Sequence, residues 1–294
     1  MTSTESPVRF TFTGRDGTVI SAYRWEPSGA PRGVVQLTHG MGEHLLRYDH
    51  LATTLAAAGF LVQGQDHRGH GATAGSEEGL GVLGADGWNS LVDDIDVLVE
   101  RTHDRMADVP VVLFGHSMGS FAAQQYLLDH SDRIAALALS GTAAIDLMEP
   151  ALDLDAPIDL SGFNAPFVHR TGYEWLSRDD AQVDAYVADP YCGFGLDVEG
   201  GKAMFTRARD VADPDRLAGI RKDLPIHIMV GDQDPVNGQL ALVNAFVERL
   251  EAAGLTDVTL RVWGDARHEI FNETNRDEVE ADLLAWLDRV VPAR

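Results

Sequence analysis

Ser117 lies in Gly115-His116-Ser117-Met118-Gly119, directly after the apolar run Val111 to Phe114 and just before Phe121 to Asp129, a stretch that predicts a helix. A serine hydroxyl is a weak nucleophile at neutral pH and attacks a carbonyl only when a neighbouring base takes its proton. Strand, Gly-x-Ser-x-Gly, helix is a layout that presents such a hydroxyl at the apex of a sharp turn, with glycine where side chains two residues away would collide. The chemistry it points to is acyl transfer through a covalent serine intermediate. So short a motif also arises as an ordinary glycine-rich turn, so its partners decide.

In this layout the chain order is serine, then acid, then histidine. After Pro225 to Val230, the next apolar run, the chain reads Gly231-Asp232-Gln233-Asp234-Pro235-Val236. Asp232 and Asp234 both sit in a tight turn at the end of a strand. Asp234 is further out and is followed by a proline that stiffens the turn; the alternative role for Asp232 is local turn hydrogen bonding. Of 11 histidines only His268 follows Asp234. It falls just past a strand ending near Val262, at the sheet edge where ligand-facing residues gather. Order alone therefore selects His268 as the base.

Acyl transfer also needs donors for the developing oxyanion. One should be the Met118 N–H, at the start of the helix after the nucleophile; the other should be the Met41 N–H, in the loop His39-Gly40-Met41-Gly42 that follows an early strand. His116 reads as packing, its side chain pointing away from Ser117. His67 and His70 read as parts of a structured loop. His39, His44, His67 and His70 do not form a recognised ligand spacing, so no metal site is read, and the chemistry calls for no metal and no organic cofactor.

The elements that must hold these residues alternate. Val8 to Phe12 and Val19 to Trp25 predict a hairpin around Gly14-Arg15-Asp16-Gly17. Strands over Val34 to Thr38, Leu61 to Gln65, Val111 to Phe114 and Ile134 to Leu139 are separated by helices over Tyr48 to Ala58 and Trp88 to Met106, with a polar loop from His67 to Gly87. Such alternation gives a mostly parallel sheet with helices on both faces. The rhythm breaks after residue 142. Residues 143–223 hold five prolines, scattered aromatics and short amphipathic stretches, too long for a plain loop, and read as an inserted helical cap. Strand and helix resume over 224–294, with helices Gln239 to Ala253 and Glu278 to Val290 around a strand Val258 to Val262. The expected division is core 1–142, cap 143–223, core 224–294. Leu147, Met148, Leu152, Phe163 and Phe167 are the cap residues expected to line an apolar pocket.

The chain's 294 residues are 45% hydrophobic, enough for a large core, and carry a net charge of −23. That charge disfavours nucleic acid and anionic membrane surfaces as partners, since both repel it. Lys202 and Lys222 are the only lysines, a compositional bias with no chemical meaning. One cysteine, Cys192, allows no internal disulfide. Met1 to Arg9 is polar, without the apolar centre of an export signal, and no run approaches the roughly 18 residues of a membrane span. These readings predict a soluble cytoplasmic protein without stable membrane insertion.

Taken together, His39-Gly40-Met41-Gly42-Glu43-His44 with Arg47-Tyr48, Asp66-His67-Arg68-Gly69-His70-Gly71, Gly115-His116-Ser117-Met118-Gly119, Gly231 to Val236 and Ala266-Arg267-His268-Glu269 resemble the α/β-hydrolase superfamily. Within it the chain is similar to the monoacylglycerol lipase and lysophospholipase group, the serine aminopeptidase S33-type hydrolases. The resemblance implies the α/β-hydrolase fold with an eight-stranded sheet, a triad of Ser117, Asp234 and His268, and a cap over an acyl pocket. The expected activity is hydrolysis of small-molecule carboxylic esters, monoacylglycerol-like or medium-chain. The same machinery serves a lysophospholipase, thioesterase, amidase or carbon–carbon bond hydrolase, and a non-catalytic ligand-binding version of the fold is the alternative outside enzymes.

Overall fold

Burial along the strands explains how the sheet is ordered. β1 (Val8–Thr13) and β2 (Val19–Trp25) form the expected hairpin, and β1 keeps most of its residues exposed or half-exposed. β3 (Gly33–Thr38), β4 (Phe60–Gln65), β5 (Val111–His116), β6 (Ala136–Ser140) and β7 (Ile226–Gly231) are buried at every residue, and β8 (Val258–Trp263) alternates exposed with half-buried positions until Trp263. Strands covered on both faces read as near-continuous apolar runs, and those at the edges alternate. In a computed structural model, which describes residues 6–292, the order is β1-β2-β4-β3-β5-β6-β7-β8. Only β1–β2 and β2–β4 pair antiparallel.

The helices are α1 (Asp49–Ala57), α2 (Gly71–Ala74), α3 (Gly87–Arg105), α4 (Met118–His130), α5 (Asp180–Ala188), α6 (Val198–Val211), α7 (Pro214–Leu217), α8 (Ala241–Ala252) and α9 (Arg276–Val290). Alternate residues of β5 feed two cores. Val111 and Leu113 pack with Leu91 of α3, Tyr126 of α4 and Phe246 of α8. Val112 and Phe114 pack on the other face, with Leu55 of α1 and Leu287 of α9. The period of two along the strand thus becomes helices on both faces of one sheet.

Boundaries shift for local reasons. α4 begins at Met118, earlier than its apolar pattern predicts, because Ser120 and Phe121 N–H donate to the Ser117 carbonyl at 2.7 and 3.1 Å. α8 begins later, at Ala241, because Gln239 and Leu240 sit at φ 55° and 71°, outside helical geometry. The loop expected over His67 to Gly87 folds its start into α2. Between β6 and β7 the described residues contain no strand. There α5, α6 and α7 start at Asp179, Asp197 and Asp213, whose carboxylates accept helix N–H groups. Buried Met204, Phe205 and Val211 hold α6 to the α3–α4 side of the core. Of the stretch read as lacking an export signal, Met1 to Glu5 lie outside the described residues. Among the described residues no helix is long and apolar enough to cross a membrane.

The carboxyl ends of β7 and β8 are locked together. A Cβ on Gly231 would lie 2.0 Å from the Ala266 carbonyl oxygen and 2.4 Å from that of Arg267. Gly231→Ala must therefore push apart the loops carrying Asp234 and His268. We expect it to destabilise the protein by roughly 1–3 kcal/mol, as overpacking does, read as a lower midpoint in urea unfolding. An unchanged midpoint would contradict this packing.

Candidate active site

β5 ends in a turn that few residues can make. Ser117 stands at φ 49° and ψ −121°, a strained backbone for any residue with a side chain. Its N–H donates to the Ser140 carbonyl at 3.0 Å, anchoring the turn to the end of β6. Both motif glycines are required by close approach. A Cβ on Gly119 would lie 2.3 Å from the Thr38 carbonyl oxygen, and one on Gly115 would lie 2.7 Å from that of Gly119. The sequence pattern is thus the record of α4 lying directly against the ends of β3 and β5.

Ser117, His268, Met41 and Met118 line one cavity. His268 Nδ1 donates to Asp234 Oδ2 at 2.9 Å, which makes Nε2 the unprotonated nitrogen of the neutral ring. Asp234 is fully enclosed, and its Oδ1 accepts the Val236 N–H at 2.9 Å, so the Asp-Pro turn itself orients the carboxylate. Burial pushes the His268 imidazole towards neutrality, but the charge and hydrogen bond of Asp234 outweigh it, and the pKa is raised above 6.5. Asp232 does other work: it accepts the Asp265 N–H at 2.8 Å and ties the two loops together. The Gly40 N–H is spent on Glu43 Oε1 at 2.5 Å. Among the described residues the Met41 and Met118 N–H groups have no protein acceptor.

The other histidines are structural. His39 donates from Nδ1 to the Gly40 carbonyl at 2.8 Å and accepts the His67 N–H on Nε2 at 3.0 Å, which fixes its neutral tautomer. Burial holds His67 at about 3 and His70 at about 4. His44 bonds to Asp189 at 2.9 Å. His116 packs as expected, but it does not point away: its ring lies 4.7 Å from that of His268 and lines the cavity.

The cavity's apolar wall corrects part of the sequence reading. Met148 and Phe163 line it. Leu147 and Leu152 do not: they are 48% and 39% exposed, on short turns that face solvent. Phe167 packs beneath the Arg267 guanidinium, 4.6 Å away. Ile158, Leu160, Tyr186, Met204 and Phe205 take their place. Nothing local in the sequence distinguishes the two sets, because which face of a short irregular turn points inward is settled by packing.

A buried charge network also escaped the sequence reading, although its residues lie inside the motifs. Arg47 binds both Glu269 oxygens and Glu43 Oε2, the last at 2.7 Å. Glu43 also accepts from the Tyr48 hydroxyl at 2.7 Å. One guanidinium thus joins the loop carrying His268 to the loop carrying Met41. Burial would raise the Glu269 pKa, but Arg47 overrides it and holds the carboxylate at about 2, below its ordinary 4.5. The segment between β6 and β7 supports the same loop: the Trp175 and Leu176 carbonyls accept the His268 and Glu269 N–H groups at 3.3 and 2.8 Å.

Arg47→Met would leave two enclosed carboxylates without a counter-charge. We expect a loss of about 3–5 kcal/mol at neutral pH, as for other broken buried pairs. Because the folded pKa of Glu269 is depressed, its contribution is complete above 4.5 and is lost as pH falls towards about 2. The deficit of Arg47→Met relative to wild type should therefore shrink in acid. Urea titrations of both proteins, at neutral pH and in acid, read this directly; a deficit that grows in acid would contradict it.

A family model for serine aminopeptidase, S33, matches residues 29–275. A monoacylglycerol lipase from Mycolicibacterium smegmatis is 34% identical over 283 residues, covering 94% of this chain and 95% of its own. A monoglyceride lipase from Mus musculus is 29% identical over 284 residues, covering 95% and 89%. The solved structure of a thermostable carboxyl esterase from Bacillus coagulans superposes with a TM-score of 0.85 at 28% identity, over 98% of this chain and 100% of its own. Family, relatives and fold agree on a carboxylic ester hydrolase of the serine type, and the chain belongs to the serine aminopeptidase S33 family of α/β-hydrolases.

Proposed function

We propose that this hydrolase cleaves monoacylglycerols and other medium-chain acyl esters through an acyl-enzyme on Ser117, with Asp234 and His268 completing the triad. One observation carries the reading: the strained Ser117 and a histidine whose Nδ1 is fixed by a buried aspartate open onto the same apolar cavity. Residues 143–223 act as its cap, supplying Met148, Ile158, Leu160, Phe163 and Met204 to the lining. An acyl chain suits that wall, and a small polar alcohol suits the Ser117–His268 end. The monoacylglycerol lipases among the relatives support the same choice.

In the proposed cycle His268 Nε2 takes the Ser117 proton as Oγ attacks the ester carbonyl. The Met41 and Met118 N–H groups receive the oxyanion, and Asp234 stabilises the imidazolium. His268 then protonates the departing alcohol oxygen. Water, deprotonated by His268, cleaves the acyl–serine ester and regenerates the enzyme. A reducing, cytoplasmic setting suits a chain whose single cysteine, Cys192, is free.

Ser117→Ala should fold normally and lose monoacylglycerol hydrolysis by about 10⁴-fold or more; turnover close to wild type would remove Ser117 from the mechanism. His268 must be neutral to act as base, and its pKa is raised. The rate constant kcat/KM should therefore climb with pH through a midpoint above 6.5. Asp234→Asn, which removes the charge raising it, should move that midpoint down. A wild-type midpoint below 6.5 would argue against His268 as the titrating base.

A further inference from the structure

Beside the cavity that holds Ser117 lies a second, smaller one. Counted as room for the centre of a water-sized sphere, the first offers about 60 Å³ and the second about 10 Å³. Phe121 of α4, Ile145 in the turn after β6 and Met204 of α6 line both, so these three side chains form the wall between them. All are buried, at 8%, 3% and 3% exposure. Phe121 stands one turn along α4 from Met118, so the wall begins close to the reacting carbonyl.

The second cavity suits hydrocarbon. Trp88, Ala208 and Val211 contribute its apolar lining. Its polar residues are already committed: Trp88 Nε1 donates to Gln125 at 2.6 Å, Gln124 to Thr142 at 2.8 Å, and Arg207 pairs with Asp210 at 3.1 Å. Nothing there asks for a polar ligand.

We infer that the Phe121–Ile145–Met204 wall sets the acyl-chain length this enzyme accepts, and that the second cavity is a latent extension of the acyl subsite, closed chiefly by Met204. The inference rests on the proposed ester hydrolysis. Met204 is the adjustable member of the wall, because an unbranched thioether has three rotatable bonds, whereas Ile145 is stiff at its branched Cβ. An acyl chain that ends at the wall leaves further methylenes in water or crumpled. Each methylene that passes through and is buried is worth about fourfold in kcat/KM.

The test is a series of 1-monoacylglycerols from hexanoyl to octadecanoyl, with kcat/KM measured for each. Wild type should reach an optimum and decline for longer chains. Met204→Ala joins the cavities and should raise the hexadecanoyl-to-octanoyl ratio by about tenfold or more. Filling the second cavity in that background, with Met204→Ala combined with Ala208→Met, should return the ratio towards wild type. Ile145→Val, a milder opening, should move the ratio the same way by less and stands in if Met204→Ala does not fold. A ratio unchanged in both opened variants, or unrestored by Ala208→Met, overturns the inference. Those results leave ester hydrolysis intact, because the latter fails separately: wild type would then be inactive on the whole series.

Discussion

Everything at this site depends on how closely backbone can approach backbone where β5 turns into α4. With no side chain at Gly115 and Gly119, the first turn of α4 rests on the carbonyl ends of β3 and β5. That contact holds Ser117 in its strained conformation and brings the Met118 N–H towards the loop that follows β3. Gly40 continues the same packing: a Cβ there would lie 3.2 Å from that of Ser117. The strain is local, and the surrounding parallel strands, buried on both faces, over-determine it.

Charge is placed around this contact with equal economy. Burial by itself would neutralise His268, and Asp234 reverses that; burial would also protonate Glu269, and Arg47 reverses that. The pKa values of neighbouring residues in one loop are thus moved in opposite directions, up for His268 and down for Glu269, by partners from different elements. His116, close against His268 and held at about 3 by burial and then by the His268 charge, stays neutral and adds no competing cation. Arg47 also stacks 4.7 Å from the Tyr186 ring, so the network reaches into the wall of the cavity. The helical segment thus touches both the loop that carries His268 and the wall of the cavity.

The core was legible in the sequence because its signals are local and strong. Apolar runs covered on both faces wrote the parallel strands, and chain order picked out His268 from 11 histidines. The Asp-Pro turn favoured Asp234, and the structure gives the reason: Asp234 accepts from Val236 and reaches His268, while Asp232 holds the Asp265 turn. The pocket was not legible. Leu147 and Met148 are adjacent and equally apolar, yet one faces solvent and the other the cavity. No periodicity assigns a face to a three-residue turn.

What the sequence determined by itself is the set of groups that meet at Ser117, because each is fixed by a rule acting over a few residues: glycine beside a strained serine, an aspartate capping its own turn, an order along the chain. What only the tertiary structure decided is the space above them. Glu43, Arg47 and Glu269 are far apart in the chain and become one network only when the loops after β3 and β8 converge. Phe121, Ile145 and Met204 become a wall only when α6 packs against α4. Local chemistry is encoded locally; the shape of a cavity is a property of surfaces brought together from distant segments, and no single segment carries it.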